Sequence, residues 1–329
     1  MGFVTLNRPK AINSLTHAMV GAMQEVLSAW EVDDAVGAVV VRGAGDRGLC
    51  AGGDVVALYH SAKAGGAAAR AFFFDEYRLN AHIGGYGKPY VAVMDGIVMG
   101  GGVGISGHGS VRVVTDTAKI AMPEVGIGFI PDVGGTWLLS RAGTAGLHAA
   151  LTGAPFGAGD AIAMGFADHY VPRAALEGFT AALIADGPQA AVTAFAETPP
   201  EGALSAARDW IEECYTGHSV PDILTALRGH DHPDARAAAD LIATRSPIAC
   251  AVTLAAVRRA AGLDSLRAAL VQEYRTSCAS LRSHDFVEGI RAQLVDKDRN
   301  PQWSPASPGE VTDADIDAYF VPADPDLTF

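Results

Sequence analysis

Short apolar runs rich in β-branched residues alternate with helical periods through the first half of the chain. Gly2-Phe3-Val4-Thr5-Leu6 reads as a strand that begins almost at once, and the apolar runs 36–41 and 90–93 have strand length. Runs without polar alternation suit a sheet buried on both faces. Between the first two strands, Leu15, Met19, Met23, Val26, Leu27 and Trp30 recur at helical spacing, with Ser14 or Thr16 available as the cap. Strand, helix, strand is the crossover pattern of an α/β domain. Residues 111–122 are strand-like again, and helices return at Thr136.

After Val171-Pro172 the pattern changes. Ala, Leu, Arg and Glu dominate, and helical periods run through Leu254, Val257, Arg258 and Ala261, then Leu266, Leu270, Tyr274 and Leu281. This predicts an α/β core over residues 1–172 and a helical C-terminal region over 173–329, with an irregular tail from Asn300. No repeat of 20–50 residues is visible.

Charge and cysteine usage narrow the ligand. The formal net charge is −13 with no block of consecutive Lys or Arg, which argues against nucleic acid or an anionic membrane as partner. A phosphorylated small molecule remains compatible, because local cations or helix N-termini hold phosphate on acidic proteins. Cys50, Cys214, Cys250 and Cys278 are far apart and form no CxxC pair, so neither a zinc site nor a disulfide framework is indicated. With no charged-then-apolar leader at Met1, the expectation is a cytoplasmic protein.

Two glycine-rich segments follow strands: Cys50-Ala51-Gly52-Gly53-Asp54 and Met99-Gly100-Gly101-Gly102-Val103-Gly104. Each can present bare backbone N–H groups to a ligand, and two such donors aimed at one point make an oxyanion hole. The competing reading is a pair of tight turns with packing glycines. Residues 102–107 also satisfy the GxGxxG pattern, but they lie deep in the domain rather than after its first strand, which argues against a dinucleotide site. Gly104-Ile105-Ser106-Gly107-His108 fails the GxSxG elbow at its last position.

The acidic stretch Met122-Pro123-Glu124 through Pro131-Asp132-Val133-Gly134-Gly135-Thr136 sets two carboxyls in an apolar, glycine-rich loop. Such surroundings raise carboxyl pKa values toward neutrality, where proton transfer is useful. Alternatively Glu124 is a turn residue and Asp132 stabilises the helix starting near Gly135. Other groups invite bland readings: Cys50 as a small buried side chain, His108 as a packed or surface residue, Asp54 as a helix cap. His230 and His232 stand in a turn without further ligands, so no metal site is expected, and Arg8, Lys10 and Arg47 are surface charges or neighbours of a phosphate.

Taken in order, Asn7-Arg8-Pro9-Lys10-Ala11-Ile12-Asn13, the AGGD segment, the MGGG segment and the MPE…PDVGG stretch resemble the crotonase (enoyl-CoA hydratase/isomerase) superfamily. The resemblance implies a ββα spiral core with a helical C-terminal region used in homo-oligomer contacts. It places the oxyanion donors at Gly53 and Gly101. Hydratases of the superfamily carry a second glutamate where this chain has Gly104, and a glycine where it has Asp132. The chain is similar instead to the 3-hydroxyisobutyryl-CoA hydrolase subfamily, with Glu124 and Asp132 as catalytic acids and Glu76, in Phe73-Phe74-Asp75-Glu76-Tyr77-Arg78-Leu79-Asn80, contacting the substrate with Gly101. Ser246-Pro247, Glu273-Tyr274-Arg275, the stretch 284–289, Asp296-Lys297-Asp298 and Pro301-Gln302-Trp303 carry the likeness toward the C-terminus. It implies thioester hydrolysis with coenzyme A entering only as part of the substrate and no other cofactor. Glu124 would attack the carbonyl or activate water. An enoyl-CoA hydratase or isomerase, and a non-catalytic acyl-CoA-binding module, are the competing functions.

Overall fold

The computed structural model describes residues 1–329. The chain packs into two compact units, each assembled from three stretches. Residues 1–53, 78–121 and 155–206 form the first; 54–77, 122–154 and 207–329 form the second.

The first unit holds every strand: β1 (Gly2–Leu6), β2 (Val39–Gly43), β3 (Gly48–Cys50), β4 (Tyr90–Met94), β5 (Ile97–Met99), β6 (Val111–Val114), β7 (Lys119–Ala121) and β8 (His169–Tyr170). Five pair in parallel in the order β1-β2-β4-β6-β8, and β3-β5-β7 form a second parallel sheet. Each turn of chain thus gives one strand to each sheet, which is a spiral. The helix His17–Glu31 is capped by Thr16, whose Oγ1 accepts the Met19 N–H at 3.3 Å. Leu15 falls outside that helix and bridges to Gly53. Val36 also lies outside β2, because its N–H closes a turn onto the Asp33 carbonyl at 2.9 Å.

Strands end at Tyr170, where the composition changes, yet the packing does not divide there. The helices Leu176–Asp186 and Pro188–Phe195 belong to the first unit: Phe179, Leu183, Ala191 and Val192 pack on Val40, Val91, Val113 and Val171 in one apolar cluster. Burial of branched side chains on both faces of the sheet fixes that grouping, at about 1.5–3 kcal/mol for each fully buried large side chain.

The second unit is helical. Pro247–Ala260 is capped by Ser246 and Leu266–Ser280 by Ser265. The Ser246 hydroxyl also donates to the fully buried Asp285 at 2.6 Å. Arg291 gathers Glu288, Asp296 and Asp298 in one ion cluster. The tail is mostly irregular, with one short helix, Asp313–Asp317, held by a Thr312–Asp315 capping box. No single helix is long and apolar enough to cross a membrane.

Candidate active site

In the first unit the two glycine segments pack against each other. Gly52 holds φ at +104°, and a Cβ there would lie 3.3 Å from the Met99 carbonyl oxygen and 3.7 Å from the Gly101 nitrogen. A Cβ on Gly102 would collide with the Cys50 carbonyl. The glycines are therefore required by close approach of backbone to backbone, which is the packing reading. That approach also sets Gly53 one residue from the contact and opens a helical turn at Gly101, whose N–H, as the first of Gly101–Gly104, has no intrahelical acceptor. These contacts carry the packing reading of the glycines. Gly101 and Gly104 are buried, and Gly53 is half-buried.

In the second unit Glu76, Glu124 and Asp132 are 2 %, 6 % and 6 % exposed. Glu76 lies on the long helix Ala67–Gly84, and Glu124 opens the turn Glu124–Ile127. Phe73 stacks on Phe129 at 5.6 Å and on Tyr77 at 5.9 Å, and Phe129 packs on Phe286 at 5.2 Å, a run of packed rings in the same unit. Glu76 Oε1 and Glu124 Oε2 are buried without a hydrogen-bond partner. Buried acceptors left open are uncommon and cost free energy, so their retention points to use by a ligand.

Burial is the main reason these acids hold their protons. It raises Glu76 well above the ordinary range, helped by the charges of Asp132 and Glu124, and it raises Glu124 likewise, helped by Asp132 and Glu273. Asp132 is pushed up by burial to about 7, against a downward pull from the Tyr77 hydroxyl, which donates to its Oδ2 at 2.6 Å. The charge of Asp132 acts on both glutamates, so the cluster shares protons as a unit.

Asp132 does not cap the helix Gly135–Arg141. Its side chain turns to Tyr77, and Glu273 does the capping instead: Oε2 accepts the Gly134 N–H at 2.6 Å, and Oε1 accepts the N–H and hydroxyl of Thr136 at 2.9 and 2.5 Å. Glu273 is fully buried and is itself pushed up by burial to about 8. Glu273, Tyr77 and Ser277 received no role in the sequence reading. A signal was available: Glu273 and Ser277 fall on the same helical stripe as Leu266, Leu270 and Tyr274.

Several of the remaining residues make local structural contacts. Asp54 caps Val55–Lys63 by accepting the Ala57 N–H at 3.4 Å. Cys50 is buried, its Sγ on the Gly52 carbonyl at 3.5 Å. His230 meets Glu213 at 3.2 Å, while His232 caps Pro233–Ala243 and stacks on Trp210. Arg8 donates to the Ser14 carbonyl at 2.6 Å, and Arg47 donates to the Pro9 carbonyl, so both brace a loop. His108 is half-buried and Lys10 exposed.

Comparison with known proteins agrees with this architecture. The model of the family described as enoyl-CoA hydratase/isomerase matches residues 1–320. The 3-hydroxyisobutyryl-CoA hydrolase, mitochondrial, of Gallus gallus is 38% identical over 98% of this chain and 86% of its own length. The human protein of the same description is 37% identical over 97% of this chain and 86% of its own length. Among solved structures, a carnitinyl-CoA dehydratase from Mycobacterium thermoresistibile is 70% identical with a TM-score of 0.97, covering 99% of this chain and 95% of the other. An enoyl-CoA hydratase from Rhodobacter sphaeroides is 40% identical with a TM-score of 0.93, covering 99% and 96%. The ββα spiral fold expected from the sequence is borne out by these neighbours.

Proposed function

Because the chain belongs to the enoyl-CoA hydratase/isomerase family, we propose that it hydrolyses a short β-hydroxyacyl-CoA thioester, 3-hydroxyisobutyryl-CoA first among candidates, to the free hydroxy acid and coenzyme A. The observation that carries this reading is the pair Glu124 and Asp132, two buried acids, one with an open oxygen and one held by a phenol. Names of relatives such as the Gallus gallus hydrolase support the substrate.

The chemistry follows from one charge shared by two acids. In the proposed cycle the pair starts with its one charge on Asp132, where the Tyr77 hydroxyl donates to it, and with a proton on Glu124. Transfer of that proton to Asp132 leaves an ionised, desolvated Glu124, which is strongly basic. Glu124 then takes a proton from water as the water attacks the thioester carbonyl, and the Gly53 and Gly101 N–H groups hold the oxyanion. Collapse of the intermediate breaks the C–S bond, and Asp132 hands its proton to the departing thiolate. Glu124 is protonated and Asp132 ionised once more, so the cycle closes without a cofactor. Direct attack by Glu124, giving a mixed anhydride, balances equally well. Appearance of ¹⁸O from labelled water in Glu124 after many turnovers selects that second route. Glu76, with its open Oε1, binds the β-hydroxyl.

A second reading has its own support. The solved structure described as a carnitinyl-CoA dehydratase is 70% identical to this chain, and elimination of water from an acyl-CoA also calls for acid–base groups beside a held carbonyl. Against it, Gly104 supplies no carboxyl where the hydratases resembling this chain place their other glutamate. Thiol release measured side by side with 3-hydroxyisobutyryl-CoA, 3-hydroxypropionyl-CoA and crotonyl-CoA decides between them. The expected result is thiol release from the two hydroxyacyl thioesters, lowered about 10³-fold or more in Glu124→Gln. Hydration of crotonyl-CoA without thiol release would sink the hydrolase assignment. The four cysteines are buried and form no disulfide, which fits a reducing compartment, and cytoplasmic placement is proposed on them alone, since the animal relatives are named as mitochondrial.

A further inference from the structure

We infer that Tyr77 is a positioning residue for Asp132: anchored by Ser277, its phenol occupies Asp132 Oδ2 and leaves Oδ1 as the only atom that exchanges protons during turnover. The inference rests on the hydrolase reading above and deepens it.

The geometry is a chain of three groups within the second unit. Tyr77 Oη lies 2.6 Å from Asp132 Oδ2 and 2.6 Å from Ser277 Oγ, and all three residues are buried. A phenol has one proton. An ionised carboxylate can only accept, so that proton points to Oδ2, and the Ser277 hydroxyl must donate to the phenol oxygen. The polarity of the chain is therefore fixed: Ser277 to Tyr77 to Asp132. A proton arriving on Oδ2 would require both hydroxyls to turn round, in an interior where Ser277 would have to find another acceptor. A proton arriving on Oδ1 disturbs nothing. Tyr77 is held in turn by stacking on Phe73 and an edge contact with Tyr274 at 6.2 Å, so the phenol is fixed from its ring as well as its hydroxyl.

The ionisable groups around Asp132 are Tyr77 and Glu76 on the long helix, Glu124 on its turn and Glu273 on the helix Leu266–Ser280. All are acids, none of them brings a positive charge, and burial disfavours ionising Asp132. The Tyr77 hydrogen bond pulls the other way and lowers Asp132. Loss of that donor raises Asp132 further, which moves the pH at which the acid pair first gains its charge.

The test is Tyr77→Phe in the full-length enzyme, which keeps the ring and removes the hydroxyl. At pH 7, kcat for 3-hydroxyisobutyryl-CoA is expected to fall roughly 10- to 100-fold with KM little changed, as for a displaced catalytic group. The acid-side limb of the kcat profile is expected to move up by about one pH unit, the effect of one lost hydrogen bond. Ser277→Ala, which leaves the phenol in place without its anchor, should move the limb the same way by less, and it carries the test if Tyr77→Phe does not fold. A loss of turnover with the limb unmoved in both variants overturns the inference, because a merely structural tyrosine would give that result. Two further measurements separate the levels: if the wild-type enzyme releases no thiol from the hydroxyacyl thioesters, the hydrolase reading fails; if Asp132→Asn is inactive while Tyr77→Phe and Ser277→Ala behave as wild type, only the positioning role fails.

Discussion

Glu124 and Asp132 are both buried acids, and what distinguishes them is a single phenol. Tyr77 donates to Asp132, whereas Glu124 Oε2 has no partner, so the first ionisation of the pair settles on Asp132. A pair that is doubly protonated cannot arm Glu124. A pair carrying one charge can. On the proposed mechanism catalysis needs the proton that leaves near pH 7 to be gone, and the kcat profile is expected to rise through about pH 7. It should fall again only at distinctly higher pH, where the second proton leaves. Stopped-assay rates of thiol release from pH 5 to 10 check this. A flat profile between pH 5 and 8 would mean that Asp132 does not govern the charge of the pair. Gly104 makes the complementary point, because a missing carboxyl there removes one route to hydration that no pKa adjustment can restore.

The Asp132 loop shows how an element, rather than a residue, is positioned. Glu273 reaches from the helix Leu266–Ser280 to the start of Gly135–Arg141 and satisfies three donors at once. Removing it strands two buried N–H groups and a hydroxyl. Glu273→Ala is expected to cost about 2–4 kcal/mol of stability, measured by urea denaturation, with activity lost in parallel as the loop loosens. A cost under about 0.5 kcal/mol would contradict the capping role. The strands, the helices and the four motifs were legible in the sequence because β-branched runs, helical spacing and glycine spacing are local signals. The Asp132 assignment was legible only as a choice between cap and catalyst, since both roles use one carboxylate near a helix start. The residue that takes the capping role from it, Glu273, lies 141 positions away by number from Asp132, and no local pattern links them. The compositional break at residue 172 likewise reports where strands stop, not how Phe179 and Leu183 return to cover Val40 and Val91.

Across the molecule, the acids that suit chemistry oppose folding as pH rises. Asp132 and Glu273 titrate near 7 and 8 in the folded chain but close to 3.8 and 4.5 when unfolded, and Glu124 and Glu76 are raised in the same sense. Between those limits the folded state binds more protons than the unfolded state. Stability therefore falls with pH from about 4 upward and levels off only above the folded pKa values. Carboxylates with lowered values act oppositely: Asp168 beside Arg112 and Glu288 beside Arg291 contribute stability that is lost as pH falls through their folded values. These pairs are the same in wild type and in a variant of the acid cluster, so they cancel in the difference between the two. The double variant Glu124→Gln with Asp132→Asn should accordingly gain on wild type as pH rises. Its melting temperature relative to wild type is expected to increase by at least about 3 °C between pH 4.5 and pH 8. Any packing cost of the two amides is independent of pH, so it displaces the whole difference curve and leaves the slope intact. Calorimetric scans at several pH values read that slope directly. A difference that stays constant, or is largest in acid, would show that these carboxyls are not held protonated by the fold, and the shared-charge mechanism would lose its physical basis.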